Sequence, residues 1–364
     1  MIQGHGGDVF RVAKSLSVSP RDIKDFSSNI SPLPLPDGLK ERLIASLDEI
    51  RALPEVDSLT VRESLAARYK LDPENFLIGS GTTEWIYSLP RVMGTKRALI
   101  PLPTYADYVD AAAGAGCKIE TLGPWLHGGQ DTSSEILNTI KERMKKGDIV
   151  FICNPNNPTG HFIPLNFLLD AIYAESDVLW VIDESYAPFV GSDSETSLIS
   201  SSMPANILIL RSFSKIYGIP GLRLGYATGT IGMMKKLAAA ARPWAVNRLA
   251  QVAGEYLIER FSYENDVRDY CRHEKERFLS RIKKEIRFLT PIEGRTHFIL
   301  FKIKPPLMAK KIADTLKKKR ILIRDCGNFR GLYGEYLRIS LRSHEDNDAL
   351  LGTLKEFNHA INLA

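Results

Sequence analysis

The sequence predicts an α/β protein: a large domain whose mostly parallel sheet is sandwiched by helices, a small C-terminal α+β domain, and an N-terminal arm. Three observations carry this. First, FLIGSG, RALIPLP, DIVFICNP, VLWVIDES, NILILRSF and LRLGYATG are brief, mostly apolar runs that end at or beside Gly, Pro, Asn or Ser. Strands buried on both faces read this way, and the helix-compatible spacers between most of them suit right-handed crossovers. Second, the character changes after RPWAVN, where a long charged helical stretch containing YCRHEKERFLSRIKKEI precedes FILFKI, MAKKIADTLKKK, ILIRD, YLRISLR and a last helix. Third, residues 1–36 are rich in Gly, Ser and Pro and end in SSNISPLPLPDG. They read as an irregular arm with one short helix, outside any sheet. The expected boundaries are 1–36 for the arm, 37–247 for the large domain and 248–364 for the small one. A chain of 364 residues exceeds one ordinary core, which favours this division.

Composition narrows the class. With 44% hydrophobic and 25% charged residues, the chain resembles ordinary soluble globular proteins. A net charge of +5, spread without a basic stripe or tail, argues against a nucleic-acid partner. Cys117, Cys153, Cys271 and Cys326 lack CxxC spacing, which argues against a disulfide scaffold or a zinc site and for reduced thiols in the cytoplasm. MIQGHGGDVFRVAKSL has no signal-peptide core. No run reaches the ~18 apolar residues of a membrane span. A cytoplasmic protein without metal or membrane attachment is expected.

In open α/β sheets ligands sit beyond the carboxyl ends of the strands, so the polar residues that end the apolar runs are expected in one cleft. In RSFSKIYGIPGLRLGY (Arg211–Tyr226), Lys215 follows a buried strand directly. A lysine near an apolar interior is costly unless its charge is used or its pKa falls, and a Schiff base does both. Ser212, Ser214 and Arg223 suit a phosphate. In VIDESY, Asp183 ends a buried strand and needs a cationic partner; a pyridinium N–H supplies one and keeps a pyridine ring working as an electron sink. Tyr186, in the same motif, and Asn157, in the turn CNPNNPTG, suit that ring's phenolic oxygen. In GSGTTEW, the N–H groups of Gly81, Thr82 and Thr83 open a helix and form a phosphate cradle. Tyr105 in PLPTYADY is the candidate to stack on the ring.

These four motifs, in this order, resemble the fold-type I pyridoxal 5′-phosphate (PLP) enzymes of the aspartate aminotransferase superfamily, in the histidinol-phosphate aminotransferase-like branch. The resemblance covers essentially the whole chain. It implies PLP as cofactor, bound through Lys215, with Asp183 on the ring nitrogen, Asn157 and Tyr186 on O3′, and Ser212, Ser214 and Arg223 on the phosphate. It also implies a homodimer with active sites near the interface.

The motifs do not choose among transamination, decarboxylation and other reactions. GHGGD, DFSSNISPLPLP, ILIRDCGNFRG and YLRISLRS are similar to the L-threonine-O-3-phosphate decarboxylases of cobalamin biosynthesis. That likeness implies decarboxylation of O-phospho-L-threonine to (R)-1-amino-2-propanol O-phosphate, with O-phospho-L-serine as a second candidate substrate. A histidinol-phosphate or related aminotransferase is the alternative, and a non-catalytic PLP-fold protein a third reading. Arg324 and Arg338, ending apolar strands, suit a carboxylate and a phosphate. The resemblance adds His5 and Asn29 to the substrate pocket, to which Asn157 is also assigned; Arg342, four residues after Arg338 and on the same face of the strand, reads as structural. Lys215, Asp183 and Tyr186 are the catalytic candidates. One departure stands out: RALPEVD places Leu53 where related enzymes carry a tyrosine that reaches the cofactor phosphate across the dimer.

Overall fold

The computed structural model describes residues 6–362. Seven strands form the main sheet: β2 (Phe76–Gly79), β3 (Arg97–Pro101), β4 (Lys118–Leu122), β5 (Ile149–Cys153), β6 (Leu179–Asp183), β7 (Ile207–Ser212) and β8 (Gly225–Gly229). A two-residue strand, β1 (Lys24–Asp25), precedes them in the chain. The order across the sheet is β2-β8-β7-β6-β5-β3-β4. All six apolar runs become strands. β5, β7 and β8 are buried at every position, which is why their sequences lack the alternation of a half-exposed strand. β4 escaped the sequence reading because KIETL is an edge strand with an exposed lysine and threonine, so it carries no apolar run.

One apolar cluster, with Phe151, Val181 and Leu210, lies on one face of this sheet, and another, with Val150, Ile182 and Ile209, lies on the other. The alternation follows from the two-residue period of a strand. β8 runs antiparallel to both β7 and β2. Its first residue therefore lies at the edge where the other strands end. Gly225 sits opposite both Ser212 and Gly79, which brings three loops to one point.

The second sheet contains β9 (Leu289–Pro291), β10 (Phe298–Ile303), β12 (Arg324–Asp325) and β13 (Tyr336–Ser340), in the order β12-β13-β10-β9 and antiparallel throughout. The remaining strand, β11 (Ile321–Leu322), pairs in parallel with β1. This corrects the expectation that the arm stays outside any sheet. The arm has its short helix, Val9–Leu16, but it also lends two residues to a strand pair. Backbone bonds on either side explain the docking: Lys24 N donates to Arg320 O at 2.9 Å and Phe26 N to Leu322 O at 2.8 Å. Phe26 is fully buried with Phe278 and Leu337. Arg342 is structural, as expected; it donates to the carbonyls of Asp25 and Ser28.

All four cysteines are buried and free. Among the described residues no helix is long and apolar enough to cross a membrane, and no cluster of His, Cys, Asp or Glu has a metal-binding arrangement.

Candidate active site

The carboxyl edge of the main sheet opens into two cavities that share Tyr105, Asn157, Tyr186 and Lys215. The first, about 130 Å³, is lined by Gly81, Thr82, Thr83, Tyr105, Asn157, Asp183, Tyr186, Ser212, Ser214, Lys215 and Arg223. These are all eleven residues that the sequence assigned to a cofactor, drawn together from five segments of chain. The second, about 140 Å³, is lined by Asn29, Arg324 and Arg338 together with the four shared residues. His5 lies outside the described residues.

Asp183 is buried and its carboxylate is well supplied with donors. Oδ1 accepts from Ser185 N at 3.0 Å and from Ser185 Oγ at 2.5 Å, and Oδ2 accepts from Tyr108 Oη at 2.8 Å. Burial pushes its pKa up, against the hydrogen bonds and the Lys215 charge that lower it. Lys215 is displaced the other way: burial, then the nearby Arg223 and Arg338, push its pKa down to about 8. Such an amine exchanges its proton near neutral pH, as a Schiff-base lysine must. The backbone of Lys215 is also held, because Ser31 N of the arm donates to its carbonyl at 2.8 Å.

At the far end of the first cavity, the helix Thr82–Val92 begins after Gly81 with no side-chain cap. Its first N–H groups face the cavity edge without intrahelical acceptors, the arrangement that binds anions. Gly81 has φ +81°, and a Cβ there would meet Arg223 Nη2 at 2.5 Å. Only glycine lets the guanidinium close over the cradle. Arg223 itself is left-handed, with φ 58°.

The second cavity is built differently. Arg338 is buried; Nη1 donates to Asn157 Oδ1 and Nη2 to Ser27 O at 2.7 Å. Arg324 is half-buried and donates to Asn328 Oδ1 at 2.8 Å. Burial, with repulsion from Arg338, pushes the Arg324 pKa down to about 10, so it stays charged at neutral pH. Among the described residues no carboxylate comes within 4.0 Å of either guanidinium. Asn29 Nδ2 donates to Tyr186 Oη at 3.3 Å, and Asn29 Oδ1 is buried with no partner among the described residues. Tyr186 is buried, which pushes its phenol up to about 12. Gly6 also lines this cavity; a Cβ there would meet Ser27 O at 2.4 Å, which gives the glycine of the HGG segment a steric reason.

Sequence reasoning missed Tyr108, Ser185, Asn328 and the Ser27 carbonyl. Tyr108 carried a signal. It follows Tyr105 by three residues at the start of a helix, and residues at i and i+3 share a face. Ser185 lies two residues beyond Asp183, the spacing of an Asx turn. A backbone carbonyl has no side-chain signature, so Ser27 left none.

The aminotransferase class I and II family pattern matches residues 21–354. A threonine-phosphate decarboxylase of Salmonella typhimurium is 33% identical over 356 residues, covering 96% of this chain and 95% of the relative. A histidinol-phosphate aminotransferase of Methanocaldococcus jannaschii is 27% identical over 350 residues, covering 95% and 92%. Among solved structures, the L-threonine-O-3-phosphate decarboxylase of Porphyromonas gingivalis superposes with a TM-score of 0.81 at 28% identity, covering 92% of this chain and 99% of that one. The chain therefore belongs to the aminotransferase class I and II family, and membership implies pyridoxal 5′-phosphate as its cofactor. The donor set of the first cavity fits that group: a buried carboxylate for a ring cation, a lysine of lowered pKa, and a helix N-terminus with an arginine for a phosphate.

Proposed function

We propose that this member of the aminotransferase class I and II family decarboxylates a phosphorylated amino acid, O-phospho-L-threonine or its near relative O-phospho-L-serine. One observation carries the reading. Arg324 and Arg338 face one cavity beside Lys215, with no carboxylate at ion-pair distance among the described residues. Two uncompensated guanidiniums are costly unless a ligand neutralises them. A phosphorylated amino acid brings two anionic groups, each suited to a guanidinium fork. The threonine-phosphate decarboxylases among the relatives support the same substrate class.

When bound, pyridoxal phosphate supplies an electron sink for the pair released as the Cα–carboxylate bond breaks. The residues of the chain do the rest. Asp183 would keep a proton on the ring nitrogen of that cofactor, with Tyr108 and Ser185 holding the carboxylate in place. Asn157 and Tyr186 would hold its phenolic oxygen, Gly81, Thr82, Thr83, Ser212, Ser214 and Arg223 its phosphate, and Tyr105 would wall the ring. Arg324 and Arg338 divide the two anionic groups of the substrate between them, which fixes the bond that breaks. Asn29 holds Tyr186 and closes the pocket from the arm. Lys215 Nζ, with a pKa near neutrality, delivers the proton to Cα once CO₂ has left.

An apolar surface supports a homodimer. Leu47, Ile50, Leu53, Val56, Leu59 and Trp244 are all exposed by 45% or more, and Trp244 N donates to Val56 O at 3.1 Å, which joins the two segments. This patch is the surface a second copy covers. Buried free thiols support a cytoplasmic setting for this reaction.

The test supplies O-phospho-L-threonine and O-phospho-L-serine without a keto acid and measures CO₂ and the amine. Stoichiometric CO₂ release is expected. No CO₂, with glutamate-dependent conversion of imidazole acetol phosphate, would replace the decarboxylase by a histidinol-phosphate aminotransferase, the function of other relatives.

A further inference from the structure

Arg324 lies on the two-residue edge strand β12, where a long side chain beside a like charge would swing out toward solvent unless held. Two contacts hold it. Nη2 donates to Asn328 Oδ1 at 2.8 Å, and the guanidinium carbon lies 5.1 Å from the Phe329 ring centroid. Both residues line the second cavity. The turn that carries them is tied in turn: Gly327 N donates to Asp325 Oδ1 at 2.8 Å, Phe329 N to Cys326 O at 3.0 Å, and Cys326 N to Tyr336 O at 3.0 Å. Phe329 is buried in a small cluster with Leu300, Cys326, Leu332 and Tyr336, so its ring is a fixed wall.

The residue type at 328 matters. An aspartate in this place would pair with Arg324 and cancel its charge. An asparagine accepts the same hydrogen bond and leaves the charge available to a ligand. The ring adds a cation–π attraction without neutralising anything.

We propose that Asn328 and Phe329 are positioning residues that hold the Arg324 guanidinium, still uncompensated, toward one anionic group of the substrate. This rests on the reading of the second cavity as the site of a doubly anionic substrate. The test is a cycle on the holoenzyme: parent, Asn328→Ala, Arg324→Ala and the double variant are titrated with inorganic phosphate by calorimetry. Visible absorbance of the bound cofactor verifies equal loading. Each single variant is expected to weaken phosphate about tenfold or more, the scale of one hydrogen bond to a charged group. The double variant is expected to bind no more weakly than Arg324→Ala, because Asn328 acts through the arginine. Asn328→Asp is expected to weaken phosphate at least as much as Asn328→Ala, although it keeps the hydrogen bond, and Phe329→Leu by a smaller factor. With O-phospho-L-threonine, Asn328→Ala raises KM more than it lowers kcat, whereas general loosening of the turn would lower kcat as well.

Unchanged phosphate affinity in Asn328→Ala, losses that multiply in the double variant, or no phosphate binding by the parent would each overturn the proposal. CO₂ release by the parent enzyme tests the functional reading separately. If release fails while the phosphate cycle behaves as expected, the reaction assignment falls and the role of Asn328 stands.

Discussion

In the cofactor cavity the buried charge of Asp183 has three protein hydrogen bonds, whereas in the adjoining cavity Arg324 and Arg338 have no acidic partner among the described residues. The difference is one of balance. The first cavity is lined by Asp183 as well as by Lys215 and Arg223, so a ligand there meets charges of both signs. The second is lined by Lys215, Arg324 and Arg338 with no acidic residue among its described lining, a surplus that suits the doubly anionic substrate proposed above.

The comparison can be broken or sharpened, beginning with the largest effect. Lys215→Ala, which touches both cavities, is expected to abolish turnover and the visible absorbance of the holoenzyme; turnover above background would refute its role. Arg338→Ala is expected to cut kcat/KM by about a hundredfold or more, the usual cost of losing a buried charged partner, with the cofactor spectrum intact. Loss of the cofactor band in that variant would show that the two cavities are not separable.

Tyr108→Phe probes the other cavity. Removing one of three donors to Asp183 is expected to cost about tenfold in kcat/KM. The lost hydrogen bond was lowering the Asp183 pKa, so the acid limb of the pH–rate profile moves to higher pH. An unmoved limb would mean that Tyr108 only packs. A separate effect concerns stability without cofactor, not turnover. Lys215 falls from 10.5 to about 8 on folding, so between those values the unfolded chain binds the extra proton and stability rises with pH. In Lys215→Met that slope should vanish, and the apoprotein should melt higher than the parent at neutral pH. A Tm equal to the parent's at every pH would remove burial as the cause of the lysine's shift.

The two cavities also differed in how readily the sequence disclosed them. Lys215, Asp183, Asn157 and the Gly81–Thr83 turn end apolar runs, and the carboxyl-edge rule collects such residues without knowledge of the sheet order. Tyr108 was passed over because a tyrosine in a helix of alanines reads as core, which its stacking on Phe151 at 5.2 Å partly makes it. The second cavity draws on the arm and on the small sheet, so its contacts span most of the chain: Arg338 meets Asn157 and the Ser27 carbonyl. No local pattern encodes such a meeting. Arg324 and Arg338 were expected at the ends of apolar strands, but Arg324 opens β12 and Arg338 is the middle residue of β13; that nothing acidic faces them became evident only with the fold. The two-residue strand of the arm was hidden for a related reason, since KD has no strand propensity and is extended by its neighbours.

The antiparallel course of β8 has a consequence for how the molecule assembles. β7 and β8 form a hairpin within the main sheet, with Ser212 opposite Gly225, so Lys215 and Arg223 are brought to one edge by a short closed loop. Local closures cost little chain entropy and tend to form early, whereas pairings between distant segments come late. Ser31 reaching Lys215 and Ser27 reaching Arg338 belong to the second kind. During refolding the loop that carries Lys215 and Arg223 should therefore close before the arm docks on either cavity, and the backbone amides of the arm should be the later ones to gain protection from hydrogen exchange.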